Sequence, residues 1–474
     1  MTETQPSPVE ETGCWADIFT GRLGVYTLVL GLGMGLFAIN QFVVATIMPT
    51  VLEELGGVRF YSWAFSLFAV GAIVGAASAH GLREAFGLRP AYAGAGLILG
   101  LGLTGAALAP DMPNFVGWRL VQGIGGGALA SQGYGLIAIA YPAHLRARVL
   151  GVVSTIWGTA TIMGPGFGAL FAEPGLWQWA FLGLLPLIAI FVLLVWRRVE
   201  SDKGHGKLSA LPYRRLALLT LAVFMISATS LTAVLLIQVL LVAIAICFAI
   251  LTFRLDARSE HNMFPRGVTS LATELGAVYW ILFLGSIVLA IVNTYSTFYL
   301  QALHGVSPLV AGYLFAIQSI MWTTSALIVA TLPRRFESWC LVTGLSFILA
   351  GAVGVWLTVD SGPVIVIAVA ISLTGIGLGF INNPTIQRII SIVPETEKHM
   401  AGASVQAIRN IGISFGAAAS GMVAAAAGLS HGAEREAIAF SMTWVYGVNA
   451  AFALLALAMT IPMFIARRRG TSPS

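Results

Sequence analysis

What most limits this chain is the recurrence, across residues 23 to 466, of apolar stretches about twenty residues long separated by short polar or basic turns. A backbone inside a hydrocarbon layer has no water to bond to, so each stretch folds as a helix that satisfies its own N–H and C=O groups. About 20 residues, rising 1.5 Å each, cross a hydrocarbon core about 30 Å thick. Composition points the same way. Of the 474 residues 58% are hydrophobic and 9% charged, whereas an ordinary soluble domain carries about 25% charged residues.

The expected architecture is an all-α integral membrane protein with spans near 23–49, 61–80, 91–109, 114–141, 149–170, 177–196, 214–231, 233–253, 274–300, 308–331, 338–358, 362–385, 402–428 and 437–466. That is fourteen transmembrane helices. The middle pair rests on one apolar run, 216–253, whose 38 residues would make a helix of about 57 Å. Two spans with a turn at Thr229-Ser-Leu-Thr232 fit the bilayer better. Basic residues test the count, because one missed helix would invert every later loop. With fourteen spans, 21 of the 25 Lys and Arg residues fall on one side. They are Arg22, Arg83, Arg89, Arg146, Arg148, Arg197, Arg198, Lys203, Lys207, Arg214, Arg215, Arg254, Arg258, Arg266, Arg334, Arg335, Arg388, Lys398, Arg467, Arg468 and Arg469. That side is expected to be the cytoplasm, with both termini in it, in a bacterial-type inner (plasma) membrane. The net charge of +5 follows from this topology and calls for no nucleic-acid partner.

Within the fourth span Gly117-Trp-Arg-Leu-Val-Gln-Gly-Ile-Gly-Gly-Gly127 carries the chain's most expensive side chain. An arginine near the centre of a spanning helix costs about 2.5–3.5 kcal/mol, so Arg119 should face protein or a watery cavity. Gln122 shares its face, and Gly123, Gly125, Gly126 and Gly127 admit a close neighbour. Gly123-Ile-Gly-Gly-Gly127 returns as Gly375-Ile-Gly-Leu-Gly379, and Pro142 as Pro394, both 252 residues on; Asn40 and Asn293 lie 253 apart. This predicts two six-helix bundles in parallel repeat, with a binding site between them, plus a two-helix insert. The corresponding segments are a tail 1–22, a bundle 23–198, a loop 199–213, the insert 214–253, a loop 254–273, a second bundle 274–466 and a tail 467–474. No nucleophile-base set, zinc motif or phosphate-binding loop is present, so no enzyme activity and no cofactor or metal is expected. Cys14, Cys247 and Cys340 show no ligand spacing and read as packing residues.

Arg119, Gln122 and Gly123 match R-x-x-Q-G, and through them the chain resembles the major facilitator superfamily, in particular its fourteen-helix drug:proton antiporter branch. Other motifs extend the resemblance. Gly158, Gly164, Pro165 and Gly168 are similar to the exporter motif G-x-x-x-G-P-x-x-G of the fifth helix. His80-Gly-Leu-Arg-Glu-Ala-Phe-Gly-Leu-Arg-Pro90 resembles a worn gating loop that keeps Glu84, Gly87 and Arg89. The helix-1 pattern of that branch has an acid nine residues before Pro49, where this chain has Asn40, an amide that cannot titrate. What the resemblance implies is alternating-access transport of a small organic solute, most simply proton-coupled export. Arg119, Gln122, Asn40, Gln41, Asn293, Asn382 and Asn383 become candidate substrate or coupling residues, and the last two are expected to interrupt their helix beside Pro384.

A second reading stays open. No Asp or Glu is expected near the midplane, so proton coupling falls to Glu274 or Glu84 at a gate, or is absent. With Arg119 as the strongest charge of its cavity, such a protein would take up or pass neutral or anionic metabolites. A solute sensor without transport is a third possibility. The expected partners are a small-molecule substrate, the proton as candidate coupling ion and the lipid bilayer, and the protein is expected to be a monomer.

Overall fold

A computed structural model describes residues 14–200, 213–232, 234–259, 262–394, 397–429 and 434–469. Lys203 and Lys207, named above, lie outside the described residues, as do the side chains of Arg334, Lys398, Arg468 and Arg469. The α-helices are α1 (Gly21–Leu55), α2 (Trp63–Phe86), α3 (Leu88–Ala107), α4 (Met112–Ala140), α5 (Ala143–Ala169), α6 (Gln178–Leu182), α7 (Leu185–Arg198), α8 (Tyr213–Ala228), α9 (Leu235–Ala257), α10 (Glu274–Ala302), α11 (Pro308–Ala330), α12 (Glu337–Thr358), α13 (Val364–Ile392), α14 (Lys398–Ala426), α15 (Arg435–Ala458) and α16 (Thr460–Arg469). With α6 and α7 taken as one span, and α15 and α16 as another, twelve segments of the described residues are long and apolar enough to cross a membrane, and α4 and α14, of 29 residues each, bring the long helices to fourteen, as the apolar pattern predicts.

Polar residues just outside the apolar runs start several helices. The Asp111 carboxylate accepts from Asn114 N–H at 2.8 Å ahead of α4, and the Thr273 hydroxyl accepts from Gly276 N–H at 3.2 Å ahead of α10, each relieving one unpaired helix-end donor. Three details differ from expectation. α1 has 35 residues, about 52 Å, and so extends beyond a bilayer core. The sixth span breaks at Gly183 and Leu184, directly before Pro186. Asn382 and Asn383 do not interrupt α13, which runs through Pro384. Proline removes one backbone donor, and neighbouring turns carry the helix past it.

Helices α1–α7 and α10–α16 form two bundles whose packing repeats. In the first, a Cβ on Gly123 would lie 2.1 Å from the Phe68 carbonyl of α2, and one on Gly125 2.3 Å from Leu99 N of α3. At the offset of 252, Gly375 would meet the Gln318 carbonyl of α11 at 2.3 Å and Gly377 the Gly344 carbonyl of α12 at 2.4 Å. Helices in lipid associate through such close van der Waals contact rather than through hydrophobic exclusion of water. Small residues at fixed spacing therefore build both bundles alike.

The insert turns where expected, through a 3-10 segment at Thr229–Leu231, and docks on the seam between the bundles. Its bonds to α2 and the segment before it are polar: Trp63 Nε1 donates to Ser230 Oγ at 2.9 Å, Ser66 and Ser227 hydroxyls meet at 3.1 Å, and Ser230 Oγ donates to the Arg59 carbonyl at 2.9 Å. Against α14 it presents apolar surface, with Val223 and Ile226 in one cluster with Ala418. At its other end the Asp256 carboxylate binds Arg215 and accepts from the N–H groups of Met263 and Phe264 at 2.8 and 3.0 Å.

Across the cleft the bundles are sealed at one end, where α1 finishes and α2 begins. Thr297 Oγ1 donates to the Ala45 carbonyl at 2.5 Å and Gln301 Nε2 to that of Thr46 at 3.4 Å. The Tyr61 ring stacks on Tyr295 at 5.3 Å and meets Phe298 at 5.0 Å, while Phe42 meets Phe315 at 5.8 Å. Toward the opposite end, where the described chain both starts and finishes, Tyr134 of α4 and Gln406 of α14 are exposed.

Candidate functional site

Two polar centres lie at different depths. The first, around Arg119, is enclosed. Seven residues into α4, it sits about 10 Å along the axis from the sealed end. The side chain is 2% exposed, donates through Nε to the Ala64 carbonyl at 3.0 Å, bonds Gln122 Oε1 and lies 4.2 Å over the Phe68 ring. Gln122 in turn donates to the Gly102 carbonyl at 3.1 Å. This corrects the expectation that Arg119 is the strongest charge on a cavity wall. Gly123 and Gly127 bring α2 so close that its Ala64 carbonyl and Phe68 ring take up the guanidinium, which with Gln122 joins α2, α3 and α4.

The second centre faces the cleft. Arg409 of α14 is half-buried, donates through Nη2 to Asn382 Oδ1 at 2.6 Å and lies 5.7 Å over the Trp322 ring of α11. Asn382 Nδ2 donates to Asn383 Oδ1 at 3.3 Å, and Asn383 Nδ2 to the Ala326 carbonyl at 3.4 Å. Gln406 Nε2 donates to Asn410 Oδ1 at 3.0 Å on the same helix. The Tyr134 hydroxyl of the other bundle lies within electrostatic range of Arg409. Arg409 and Asn382 lie ten or eleven residues from the open ends of their helices, about 15 Å deep. The polar run Gln406, Arg409, Asn410 marks this centre in the sequence, but nothing there pairs it with Tyr134 or Trp322, which come from other helices.

The remaining candidates separate. Asn40 is fully buried and neither amide atom has a partner, which makes it a costly group to keep. Gln41 and Asn293 are half-buried. In the loop between α2 and α3, Gly87 takes φ +88 and its N–H closes α2 on the Arg83 carbonyl at 2.7 Å. That left-handed conformation strains any residue with a side chain. Glu84 faces His80 at 3.2 Å, and Arg89 Nε donates to the Val199 carbonyl at the end of α7 at 2.7 Å. These contacts stay within the first bundle. On α5, Gly164 and Gly168 admit Phe42, Val43 and Thr46 of α1, Pro165 abuts Gly312 of α11, and Gly158 opens on space. A recess of about 330 Å³ between α1 and α5 is lined by Trp15, Phe19, Ile39, Ile156, Thr155 and Thr159.

The acids are peripheral, as expected. Among the described residues the buried polar set contains one carboxylate, Asp256 of the insert, already bound to Arg215. Glu274 pairs with Arg388 at the open end of α10, where Glu337 also approaches Arg388 at 3.6 Å. His304 bonds the Val359 carbonyl at 2.9 Å in a turn of the sealed end. The arrangement can hydrogen-bond, orient and enclose a solute in the cleft.

Comparison with known proteins places these features in a family. The family model described as Major Facilitator Superfamily matches residues 30–417. A probable multidrug-efflux transporter of Mycobacterium tuberculosis is 30% identical over 438 residues, covering 89% of this chain and 91% of that protein. The tetracenomycin C resistance and export protein of Streptomyces glaucescens is 26% identical, covering 90% of this chain and 80% of its own. Among solved structures, an inward-facing bacterial homologue of the human lysosomal transporter Spinster aligns with TM-score 0.62 at 18% identity, over 94% of this chain and 97% of that one. A D-xylose-proton symporter aligns with TM-score 0.62 at 16% identity, over 93% and 97%. The resemblance first carried by Arg119, Gln122 and Gly123 is thereby borne out, and the chain belongs to the Major Facilitator Superfamily of membrane transporters.

Proposed function

We propose that this protein exports small organic molecules across a bacterial inner membrane, with both termini in the cytoplasm, by alternating opening of the cleft between its two bundles. One observation carries the reading: the bundles are latched at the α1–α2 end by Thr297, Gln301 and Tyr61, while Tyr134 and Gln406 are exposed toward the other end. A solute entering from the side of the termini meets Arg409, Asn382 and Asn383, with Asn293 and Gln41 on the facing helices. Glu84, Gly87 and Arg89, and the α5 face of Gly158, Gly164, Pro165 and Gly168, serve as hinge and gate parts. Arg119, Gln122 and Asn40 act as coupling elements without touching the solute. The working unit is a monomer.

Export is supported by the efflux and export relatives; coupled to a proton, it assigns the proton to Glu274, whose bond to Arg388 sits at the open end. A specific observation favours the second reading, transport of a neutral or anionic solute without proton coupling: among the described residues of the two bundles no carboxylate belongs to the buried set. Inside-out vesicles, assayed for solute accumulation with and without an imposed pH gradient, test both. Gradient-driven accumulation supports antiport, gradient-independent equilibration supports the second reading, and no movement of any solute overturns transport altogether.

A further inference from the structure

The two arginines within the spans, buried Arg119 and half-buried Arg409, are not equivalent. Arg119 has its guanidinium committed on two sides, to the Ala64 carbonyl and to Gln122, and is shut off by the Phe68 ring. Arg409 is bonded through Nη2 alone. Its Nε and Nη1 have no hydrogen-bond partner among the described residues, and neither is among the sealed, unpaired atoms. No carboxylate of the described residues pairs with it. A guanidinium about 15 Å deep without a counter-ion is an expensive feature. What surrounds it suits a flat anion. Asn382 holds one edge, Trp322 covers one face, and the Tyr134 hydroxyl of the opposite bundle lies within electrostatic range, its residue 48% exposed.

Resting on the transport reading above, we propose that Arg409 is the anion-recognition point of the cleft and that the preferred solutes are organic acids with a flat aromatic or otherwise apolar body. The carboxylate, or another delocalised oxyanion, bonds along one forked edge of the guanidinium, through the free Nε or Nη1 together with the second N–H of Nη2, since guanidinium matches such groups in plane and in charge. The body of the solute lies between Trp322 and Tyr134. Asn382 and Asn383 keep the guanidinium in place by their chain of bonds to the Ala326 carbonyl. Because Tyr134 belongs to the other bundle, an acid held here touches both moving parts. Lipophilic cations meet an uncompensated positive charge at the same spot and are disfavoured.

The test is equilibrium binding to the purified full-length protein in nanodiscs, by titration calorimetry, with three probes of one shape: 2-naphthoate, 2-naphthamide and (2-naphthyl)trimethylammonium. The wild type is expected to bind the acid at least about tenfold more tightly than the amide, the low end for a charge-assisted hydrogen bond, and the cation most weakly. Arg409→Gln removes the advantage of the acid and leaves the amide unchanged, and Arg409→Lys keeps part of it. Equal affinity for the three probes, preference for the cation, or no binding of the acid overturns the assignment, and these rankings need no variant to fold. So does an Arg409→Gln protein that melts like the wild type and still prefers the acid. Flux of the amide or cation but not of the acid in the vesicle assay overturns the anion site and leaves the transport reading standing.

Discussion

Replacing Thr297 by Val and Gln301 by Ala removes the two side-chain hydrogen bonds that, among the described residues, cross the cleft at its sealed end, to the carbonyls of Ala45 and Thr46. A typical net hydrogen bond is worth about 0.5–1.5 kcal/mol, so the pair contributes about 1–3 kcal/mol to this conformation. The Thr46 carbonyl keeps its helical donor at Thr50, whereas Pro49 inside α1 has no N–H to offer the Ala45 carbonyl, so Thr297→Val leaves that acceptor open and places the effect toward the upper end of this range; valine otherwise keeps the shape of threonine. Each 1.4 kcal/mol is tenfold in a conformational equilibrium, so the sealed-end-open population should rise by about 5- to 150-fold. Pulsed electron–electron distance measurements, with spin labels on the α1–α2 and α10–α11 turns of a protein cleared of Cys14, Cys247 and Cys340, read that population. The double variant is expected to show a new, longer distance component at the sealed end. An unchanged distance distribution in a fully folded variant would refute the reasoning, because the bonds would then not be holding the cleft.

Three further expectations follow from the same geometry. Gly123→Ala and Gly375→Ala each force a Cβ to within 2.1 and 2.3 Å of a backbone carbonyl, so both should lower thermal stability by about 1–3 kcal/mol, while Gly158→Ala, which meets nothing within 4 Å, should leave the melting temperature unchanged. Arg119→Ala strips the Ala64 carbonyl and Gln122 of their donor and should destabilise the protein by about 1–3 kcal/mol for each buried polar group left unpaired; a melting curve like the wild type's would place that side chain outside the α2–α3–α4 junction. Ser227→Ala with Ser230→Ala cuts the polar bonds of the insert to the first bundle but leaves its apolar contact with α14, so solute flux should fall more than stability does, read by the vesicle assay beside a thermal melt.

The fold was legible because its causes are written locally. Twenty-residue apolar runs, the turn at Thr229-Ser-Leu-Thr232 and the glycines at a 252-residue offset each act through backbone satisfaction or close approach, and each appears in the helices as read. The site was legible in part. Arg119 and Gln122 were recognisable as a pair, but whether a buried guanidinium lines a cavity or ties helices together depends on how near α2 comes, which Gly71 and Gly75 on that other helix also decide. Asn382 and Asn383 were found for the wrong reason: not a broken helix, but a bond from Asn382 to Arg409 twenty-seven residues away. Tyr134 and Trp322 carried no signal, since an aromatic residue in a membrane helix usually meets lipid or core, and only the meeting of four helices gives these two their place.

The most direct test of the central claim, that solute passes because the cleft must open at the end now sealed, is flux through an Ala45→Cys/Thr297→Cys protein cleared of its three native cysteines. Reconstituted in proteoliposomes, it should stop moving whichever naphthyl probe the wild type moves once the pair is oxidised, and recover when the disulfide is reduced. Equal flux in the oxidised and reduced states, with the cross-link confirmed, would contradict the account.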